Sequence, residues 1–350
     1  MSTSPDTRPR WRRHARDIFG AVVSIAALAA VIVWALKQPA PKFPSQPGKI
    51  ALLFVGVGVY AVATLLRGWR WDRVLTSVHV GHRKGDAYSL VCVGYMGNNV
   101  LPARGGELLR VMLMAPRAQA RRRELLGSII AERVLDVVAL AGLFAVMTLA
   151  SVAGSPVGKA PAYVALGGGV VGVIALLVYL RLRERGKFEK FATAIRPIAR
   201  ASRIVGRPEG AGLVAVTALV WVLEGIVFWL VGQSLGLHLD LVGGTFLVVL
   251  ASFFALIPAA PGYVGTFDTA VLFGLHALKV TGGNAVAFAV LVRFVMFVPI
   301  TLVGLVLLMT RHGGIRQLRK AARVAEADAD ADVEPPREPV PSQAVGPGGV

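Results

Sequence analysis

Long apolar stretches alternate with short polar and basic stretches along this chain. Six of them approach the length of about 20 residues that a helix needs to cross a bilayer. They lie at about 18–36, 50–66, 126–150, 162–180, 211–231 and 285–310. Three further apolar runs, near 87–101, 241–257 and 266–278, are shorter or interrupted. The pattern predicts an all-α fold, a polytopic bundle of transmembrane helices.

Composition supports a membrane protein and argues against a nucleic-acid-binding protein. Of the 350 residues, 55% are hydrophobic and 17% are charged, and the net charge is +18. The basic residues lie in stretches between the apolar runs, and the positive-inside rule places these stretches on the cytoplasmic side. They lie at 1–17, 67–84, 117–123, 181–207 and 311–323. We therefore expect a multi-pass protein of the plasma membrane, with both termini in the cytoplasm.

Two tails of different composition flank the membrane part, 18–310. Residues 1–17 form a basic cytoplasmic arm, and 311–350 form a cytoplasmic tail that we expect to be disordered from about 325, where apolar side chains become scarce. A secretory signal is the alternative interpretation of the first apolar stretch, but its length and the lack of a clear cleavage site favour a retained anchor. The basic cytoplasmic loop 181–210 is too short for a catalytic domain.

The segment from Asn98 to Arg110 places Asn, Pro, Gly and charged residues between two apolar runs. Charge and non-helical backbone are costly in lipid, so this segment is the first candidate for a functional site. The basic stretches on either side are both expected inside, and the run that follows is too short to span. We therefore predict a re-entrant hairpin from the cytoplasm with Pro102 to Gly106 at its tip. The N-terminus of its second half-helix, beside Arg104, would suit an anion such as a lipid phosphate.

A second broken segment, 257–268, has the same character. Pro261, Gly262 and Gly265 again join an apolar run to a short helix, and the segment again ends in an acid, Asp268. Each half then contains two spans, a hairpin and a span, with the halves at about 18–150 and 162–310 and opposite orientations. Such an inverted-topology repeat places its transport site at the paired broken segments, near the midplane. Ten full crossings are the alternative, since they also keep both termini inside.

Five further charged residues lie within predicted spans. Glu132 and Asp136, at i and i+4, share a helix face beside Arg133, either as a self-neutralising pair near the interface or as part of a functional site. Glu224 and Arg293 lie within two other spans. They either form a structural Glu–Arg pair or face a polar cavity, and the sequence leaves both interpretations possible.

The remaining polar and aromatic residues point to no metal or cofactor. The six histidines lack the spacing of metal ligands, and Cys92 is the only cysteine, so neither a thiolate metal site nor a disulfide framework is expected. Trp69 and Trp71 lie beside the end of an apolar stretch and are expected to be interfacial anchors.

Three motifs in order carry a resemblance to a known family. They are Asn98 through Arg110, then Glu132-Arg133-x-x-Asp136, then Pro261-Gly262-x-x-Gly265-x-x-Asp268. Together they resemble the lysylphosphatidylglycerol synthase transmembrane region, the flippase-like module of multiple peptide resistance factors, over about 18–310. The third motif commonly ends in Glu in that family, and the shorter Asp268 shifts its charge by about one methylene.

The resemblance implies movement of a lipid between leaflets, with the polar hairpins lining the route. We therefore expect a translocase for a phospholipid or lipid-linked head group, anionic or zwitterionic. In this mechanism Arg104 and Arg110 attract phosphate, while Glu107 and Asp268 meet a cationic moiety or alternate in pairing with the arginines. The expected translocation residues are Asn98, Asn99, Pro102, Arg104, Gly106, Glu107, Arg110, Glu132, Arg133, Asp136, Glu224, Pro261, Gly262, Gly265, Asp268 and Arg293.

Two other functions stay open at this point. One is a membrane-embedded transferase for a lipid-linked substrate, with Glu107 or Asp268 as the base. The other is a non-catalytic scaffold whose basic loops position a lipid-modifying enzyme as partner. The sequence contains no nucleotide-binding loop of the G-x-x-x-x-G-K-[ST] type and nothing that resembles the aminoacyl-transferase domain of the synthases, so we expect a non-enzymatic protein without cofactor. The residues set no oligomeric state.

Overall fold

A computed structural model describes residues 32–33, 35–101, 104–152, 208–255, 261–314 and 316 of the chain. These residues form eight long or medium helices and one short 3₁₀ turn, which confirms the predicted all-α fold. The first four helices are α1 (Pro47–Ser77), α2 (Lys84–Val100), α3 (Gly105–Ala118) and α4 (Arg122–Val152). The other four are α5 (Pro208–Ser234), α6 (Leu241–Phe254), α7 (Thr266–Ala277) and α8 (Gly282–Arg311), with the 3₁₀ turn at Pro261–Tyr263.

Three of these helices, α1, α5 and α8, are long and apolar enough to cross a membrane. Their outward faces expose large apolar side chains such as Phe54, Leu219 and Leu302, which suits contact with lipid. Helix α4 is also 31 residues long, but it carries several charged residues. The chain is thus an integral membrane protein. The predicted spans 18–36 and 162–180, the loop 181–210 and the tail lie wholly or mostly outside the described residues.

Helix α1 is longer than the predicted span 50–66 and corrects one topological prediction. We expected 67–84 to be a basic cytoplasmic loop, but the helix continues to Ser77, and Arg67 and Arg70 lie inside the bundle with 3% and 1% exposure. These two arginines form ion pairs with carboxylates on α4 and α5, so their charges can be buried and the helix can continue past them. The basic stretch outside α1 therefore begins after Ser77.

Both predicted hairpins are present as pairs of short antiparallel helices. Helices α2 and α3 have 17 and 14 residues, and α6 and α7 have 14 and 12. At 1.5 Å per residue, none of the four reaches the roughly 30 Å of a hydrocarbon core. We call α2–α3 hairpin 1 and α6–α7 hairpin 2.

Glycines set the close contact within hairpin 1. A Cβ at Gly97 would lie 2.6 Å from the Cα of Gly106, and a Cβ at Gly106 would overlap the carbonyl oxygen of Gly94. The hairpin tip closes through Asn98, whose Oδ1 accepts a hydrogen bond of 3.1 Å from the backbone N–H of Gly106. The predicted tip N-terminus is therefore partly satisfied within the hairpin itself. Of the tip residues, Pro102 and Ala103 lie outside the described residues.

The helix contacts have the symmetry of a repeat. Helices α1 to α4 and α5 to α8 follow the same order of long, short, short and long helices. Each helix–helix contact of the first half has its counterpart in the second, including α1–α2 with α5–α6, and α2–α8 with α6–α4. Helices α1 and α5 pack against each other, and the contact of Arg70 with Thr217 shows that they run antiparallel there, because Arg67 meets Glu224, further along α5. The repeat is therefore inverted.

Individual contacts repeat at a constant interval of 157 residues. In the first half Gly68 packs against Tyr88, and in the second Gly225 packs against Thr245. Each residue of the second pair lies 157 positions after its counterpart. The same interval relates the contact of Arg110 with the Trp71 ring to that of Phe267 with the Phe228 ring. The two halves thus share packing while differing in side-chain chemistry.

Candidate functional site

The tips of the two hairpins meet inside the bundle. From the tip of hairpin 1, Arg104 donates a hydrogen bond of 2.8 Å to the carbonyl oxygen of Ala255, at the end of α6, and its guanidinium lies 5.7 Å from the centre of the Tyr263 ring. Gly262, in the 3₁₀ turn of hairpin 2, faces the backbone of Asn99. The broken segments that the sequence placed in separate halves therefore form one site.

Three partly exposed charges lie at this junction, and we call them the tip triad: Arg104, Glu107 and Arg133. A carboxylate oxygen of Glu107 lies 3.9 Å from Arg104 Nη1 and 3.6 Å from Arg133 Nε. Their side chains are 30%, 23% and 36% exposed. Distances beyond 3.5 Å indicate that Glu107 is loosely paired with both arginines rather than hydrogen-bonded to them. Arg133 Nη1 also lies 3.3 Å from Asp136.

Behind the triad lies a tightly paired group, the buried network of Arg70, Arg110, Glu132 and Asp136. Arg110 Nη2 is 2.7 Å from Glu132, and Arg70 Nη1 is 2.6 Å from Asp136 and 3.1 Å from Thr217 Oγ1. The four residues are 1% to 7% exposed. Charges at such depth need each other, since removal of one partner leaves the other unpaired away from water. Arg110 is thus held by Glu132 and by the face of Trp71, and with 4% exposure it does not lie open at the hairpin tip as the sequence-based mechanism required.

A separate ion pair joins the two halves, and we call it the axis pair. Arg67 Nη2 on α1 lies 2.7 Å from Glu224 on α5. The guanidinium of Arg67 also lies 5.2 Å from the ring centre of Tyr95 and 5.5 Å from that of Trp221. Because Arg67 and Glu224 are 157 positions apart, they are equivalent residues of the repeat, and their contact marks the position of its two-fold axis.

Hairpin 2 is fixed by the pair of Asp268 and Arg293, which we call the clamp. The carboxylate of Asp268 contacts Arg293 through Nε and through Nη2, at 2.8 Å for the latter, and accepts a 2.9 Å hydrogen bond from the N–H of Gly265. Arg293 Nη1 donates to the carbonyl oxygen of Gly262 at 3.0 Å. The clamp holds Gly262 and Gly265, just before α7, and both carboxylate oxygens of Asp268 are engaged there rather than at the tip triad.

These pairings differ from those expected in two respects. A Glu224–Arg293 pair was open on sequence grounds, but Glu224 pairs with Arg67, and Arg293 pairs with Asp268. Glu132 and Asp136 are not a self-neutralising pair at the interface, since arginines of three helices surround them.

Trp71 also differs from the expectation that it anchors the chain at the interface. It is fully buried beneath Arg110, and its indole N–H donates to Ser128 Oγ at 3.1 Å. An apolar ring at this depth both packs the core and contacts a cation.

The other predicted site residues have local roles in the structure. Asn98 closes the tip of hairpin 1, and Asn99 Nδ2 donates to Thr301 Oγ1 of α8 at 2.9 Å. Pro261 is exposed at the start of the 3₁₀ turn. Within the described ranges, no three His, Cys, Asp or Glu side chains come together as a metal site would require.

Sequence reasoning missed Arg67, Arg70, Tyr95, Trp221 and Tyr263 as members of the site. Arg67 and Arg70 carried a usable signal, because residues three apart share a helix face and their spacing continues the apolar period of α1. Their nearness to Arg73 and Arg83 made the whole stretch look like a loop. The aromatic residues gave no such signal, since an isolated aromatic residue in a span is usually packing.

Comparison with known proteins identifies the family of this chain. The family model described as "Lysylphosphatidylglycerol synthase TM region" matches residues 18–304. The chain belongs to this family. The resemblance drawn from the three motifs is thereby confirmed, and the matched range covers both hairpins, the tip triad and the clamp. The chain is therefore a membrane protein of a lipid-related family.

The relatives of this chain differ in length and name. It is 26% identical to glycosyltransferase AglD of Haloferax volcanii, over 81% of this chain and 52% of AglD. It is 22% identical to a UPF0104 membrane protein of Methanocaldococcus jannaschii, over 60% of this chain and 92% of the relative. A phosphatidylglycerol lysyltransferase of Staphylococcus xylosus is 29% identical over 33% of this chain and 13% of that protein. The chain thus spans about half the length of AglD.

Proposed function

We propose that this chain is a lipid translocase of the plasma membrane, which moves the polar head group of a lipid between leaflets along the junction of the two hairpins. The observation that carries this proposal is the tip triad. It places three partly exposed charges, with Glu107 loosely paired to both arginines, where the hairpin tips of the two halves meet. An inverted repeat supplies the two opposite openings that transport between leaflets requires.

The structure narrows which residues would contact the head group. Arg110 and Asp268 are buried and paired with Glu132 and Arg293. We therefore assign the contacts to the partly exposed Arg104, Glu107 and Arg133. Arg104 and Arg133 would attract the phosphate, and Glu107 would re-pair with one arginine when the other is engaged. Such exchange keeps each charge paired throughout the crossing, while the acyl chains stay in lipid.

A leaflet assay in proteoliposomes tests this proposal. Purified protein is reconstituted with a trace of fluorescent phospholipid, and an impermeant quencher reports the rate at which inner-leaflet lipid reaches the outer leaflet. We expect Glu107→Gln to slow this rate at least several-fold, because the neutral amide cannot pair with either arginine. Glu124→Gln is the matched control, since Glu124 is exposed at the start of α4. Equal rates for wild type and Glu107→Gln would contradict the proposal.

The similarity to AglD supports a transferase for a lipid-linked substrate as the second candidate. A transferase consumes a donor and yields a new lipid, whereas a translocase leaves the total lipid composition unchanged. Mass spectrometry of lipids from a deletion strain, together with leaflet labelling, separates the two. A missing lipid species favours the transferase, and an altered leaflet distribution of unchanged lipids favours the translocase. A non-catalytic scaffold, reconstituted alone in vesicles, would change neither the lipid composition nor the leaflet distribution.

A further inference from the structure

Around the tip triad, the buried network and the axis pair, the unpaired buried side-chain atoms of the described residues are all hydrogen-bond donors. Among the described residues, the buried side-chain nitrogens without a hydrogen-bond partner in this region are Arg67 Nη1, Arg70 Nε, Arg110 Nε, Arg133 Nε and Trp221 Nε1. Arginine and indole N–H groups cannot accept hydrogen bonds. The described interior is therefore short of acceptors, and an acceptor-rich ligand would satisfy it.

The net charge of the same region also favours an acceptor-rich, negatively charged ligand. The tip triad, the buried network and the axis pair together contain five arginines and four carboxylates. This part of the described chain thus has one positive charge in excess. An uncompensated charge inside a membrane protein is costly, and a ligand with a single negative charge would balance it.

Two of the five donors lie together beside the axis pair. Arg67 uses Nη2 for Glu224 and leaves Nη1 unpaired, and its guanidinium lies 5.5 Å from the ring centre of Trp221, whose N–H is also unpaired. Arg67 is 3% exposed, so its free donor is deeply buried. Arg70 and Arg110 likewise have other nitrogens bound to carboxylates, but no second unpaired donor is described beside either of them.

The axis pair also lies near the tip triad. Arg70, one turn after Arg67 on α1, lies 2.6 Å from a carboxylate oxygen of Asp136, and Arg133 of the tip triad lies 3.3 Å from the other oxygen. Tyr95 and Trp221 are only half-buried. The axis pair therefore lies one helical turn from an arginine that shares Asp136 with the tip triad.

We propose that Arg67 Nη1 and Trp221 Nε1 form a subsite for the phosphate of a lipid head group with a net negative charge. The inference rests on the proposed lipid transport and specifies its substrate class. Arginine pairs well with phosphate oxygens, and an indole N–H adds a second donor from another helix. A zwitterionic head group would satisfy the donors but would leave the excess charge in place. Transport therefore favours an anionic lipid such as a phosphodiester with an uncharged polar group.

Isothermal titration calorimetry on the full chain in a neutral detergent tests this subsite. The probes are dihexanoyl phosphatidylglycerol, which is anionic, dihexanoyl phosphatidylcholine, which is zwitterionic, and inorganic phosphate. We expect phosphatidylglycerol to bind at least tenfold more tightly than phosphatidylcholine. Equal affinity for both lipids would overturn the anionic class. Inorganic phosphate that binds as tightly as the lipid would overturn the lipid as the source of the phosphate.

Two variants test the residues. Trp221→Phe keeps the ring and removes the N–H, and Arg67→Lys keeps the charge opposite Glu224 and removes the second guanidinium nitrogen. Each should weaken phosphatidylglycerol binding about tenfold, the usual effect of one hydrogen bond to a charged group. Trp69→Phe, at another half-buried Trp, is the matched control and should bind as wild type does. Wild-type affinity in both test variants would overturn the subsite.

The leaflet assay on the same preparations separates this inference from the proposed function. Wild-type protein that moves both lipids at equal rates keeps the translocase and overturns the anionic preference. Wild-type protein that binds phosphatidylglycerol through Trp221 but moves no lipid keeps the subsite as a binding site and overturns the translocase.

Discussion

Arg67 and Glu224 occupy equivalent positions in the two halves of this protein, and they form an ion pair of 2.7 Å with each other. Two equivalent residues of an inverted repeat can touch only close to the two-fold axis. The pair therefore lies where α1 and α5 cross at the centre of the bundle. Equivalent positions that carry opposite charges also show that the halves have diverged in chemistry while keeping their packing.

Reversal of this pair should be tolerated far better than reversal of either member. Arg67→Glu places two carboxylates together and Glu224→Arg places two guanidinium groups together, each at a cost of about 3–5 kcal/mol for an uncompensated buried charge. The double variant restores opposite charges across the axis and should recover at least half of the loss. Thermal unfolding in detergent measures all three. A double variant no more stable than the singles would show that the environments of α1 and α5 are not equivalent.

Gly106→Ala should open hairpin 1. Its Cβ would overlap the carbonyl oxygen of Gly94 and crowd Asn98, and backbone cannot move aside cheaply. We expect a loss of about 1–3 kcal/mol or failure of the hairpin to close. Gly142→Ala in α4 is the control, because a Cβ there meets nothing within 4 Å, and alanine favours helix. The melting temperature should fall for Gly106→Ala and stay level or rise for Gly142→Ala.

Asp268→Asn should destabilise hairpin 2, because Arg293 loses its charged partner. Arg293 is partly exposed, so we expect a loss of about 1–3 kcal/mol, less than for a fully buried pair. Asp240→Asn is the matched control. Asp240 caps α6 by accepting from the N–H of Gly243, and Asn caps a helix about as well as Asp. Proteolysis at the 3₁₀ turn Pro261–Tyr263 should increase only in the first variant, and equal protection in both would contradict the clamp.

Stability should fall in mild acid through His312, which follows α8. Burial, with a contribution from nearby Arg117, lowers the pKa of His312 to about 4, while Ser89 Oγ lies 3.0 Å from its Nε2. The unfolded chain, with a histidine pKa near 6.5, then binds the proton more readily than the folded chain. Stability is therefore full above about pH 6.5 and decreases towards pH 4, by up to about 3 kcal/mol.

The melting temperature between pH 7 and pH 4 measures this effect. His312→Gln keeps a polar side chain without the titration and should flatten the pH dependence. His276→Gln is the control, since His276 is exposed on α7. A wild-type pH dependence in His312→Gln would assign the acid sensitivity to another group.

The sequence by itself determined the class of fold and the places where helices break. Apolar stretches of spanning length have only one stable backbone solution in lipid, because every peptide group must be hydrogen-bonded within its own helix. The Pro and Gly residues near 98–106 and 257–265 interrupt that solution for local reasons, so both hairpins could be predicted from neighbouring residues alone.

The tertiary structure alone decided which charges pair and where α1 ends. The side chains of Arg67 and Arg70 looked like a cytoplasmic loop because their carboxylate partners lie on α4 and α5, far away in sequence. In the same way, only the structure shows that Arg110 pairs with Glu132 and that Asp268 pairs with Arg293. The charges that stay partly exposed at the hairpin tips are those of Arg104, Glu107 and Arg133. A guanidinium group can be stable in lipid only where a distant helix supplies its partner, and that distance is absent from the linear chain.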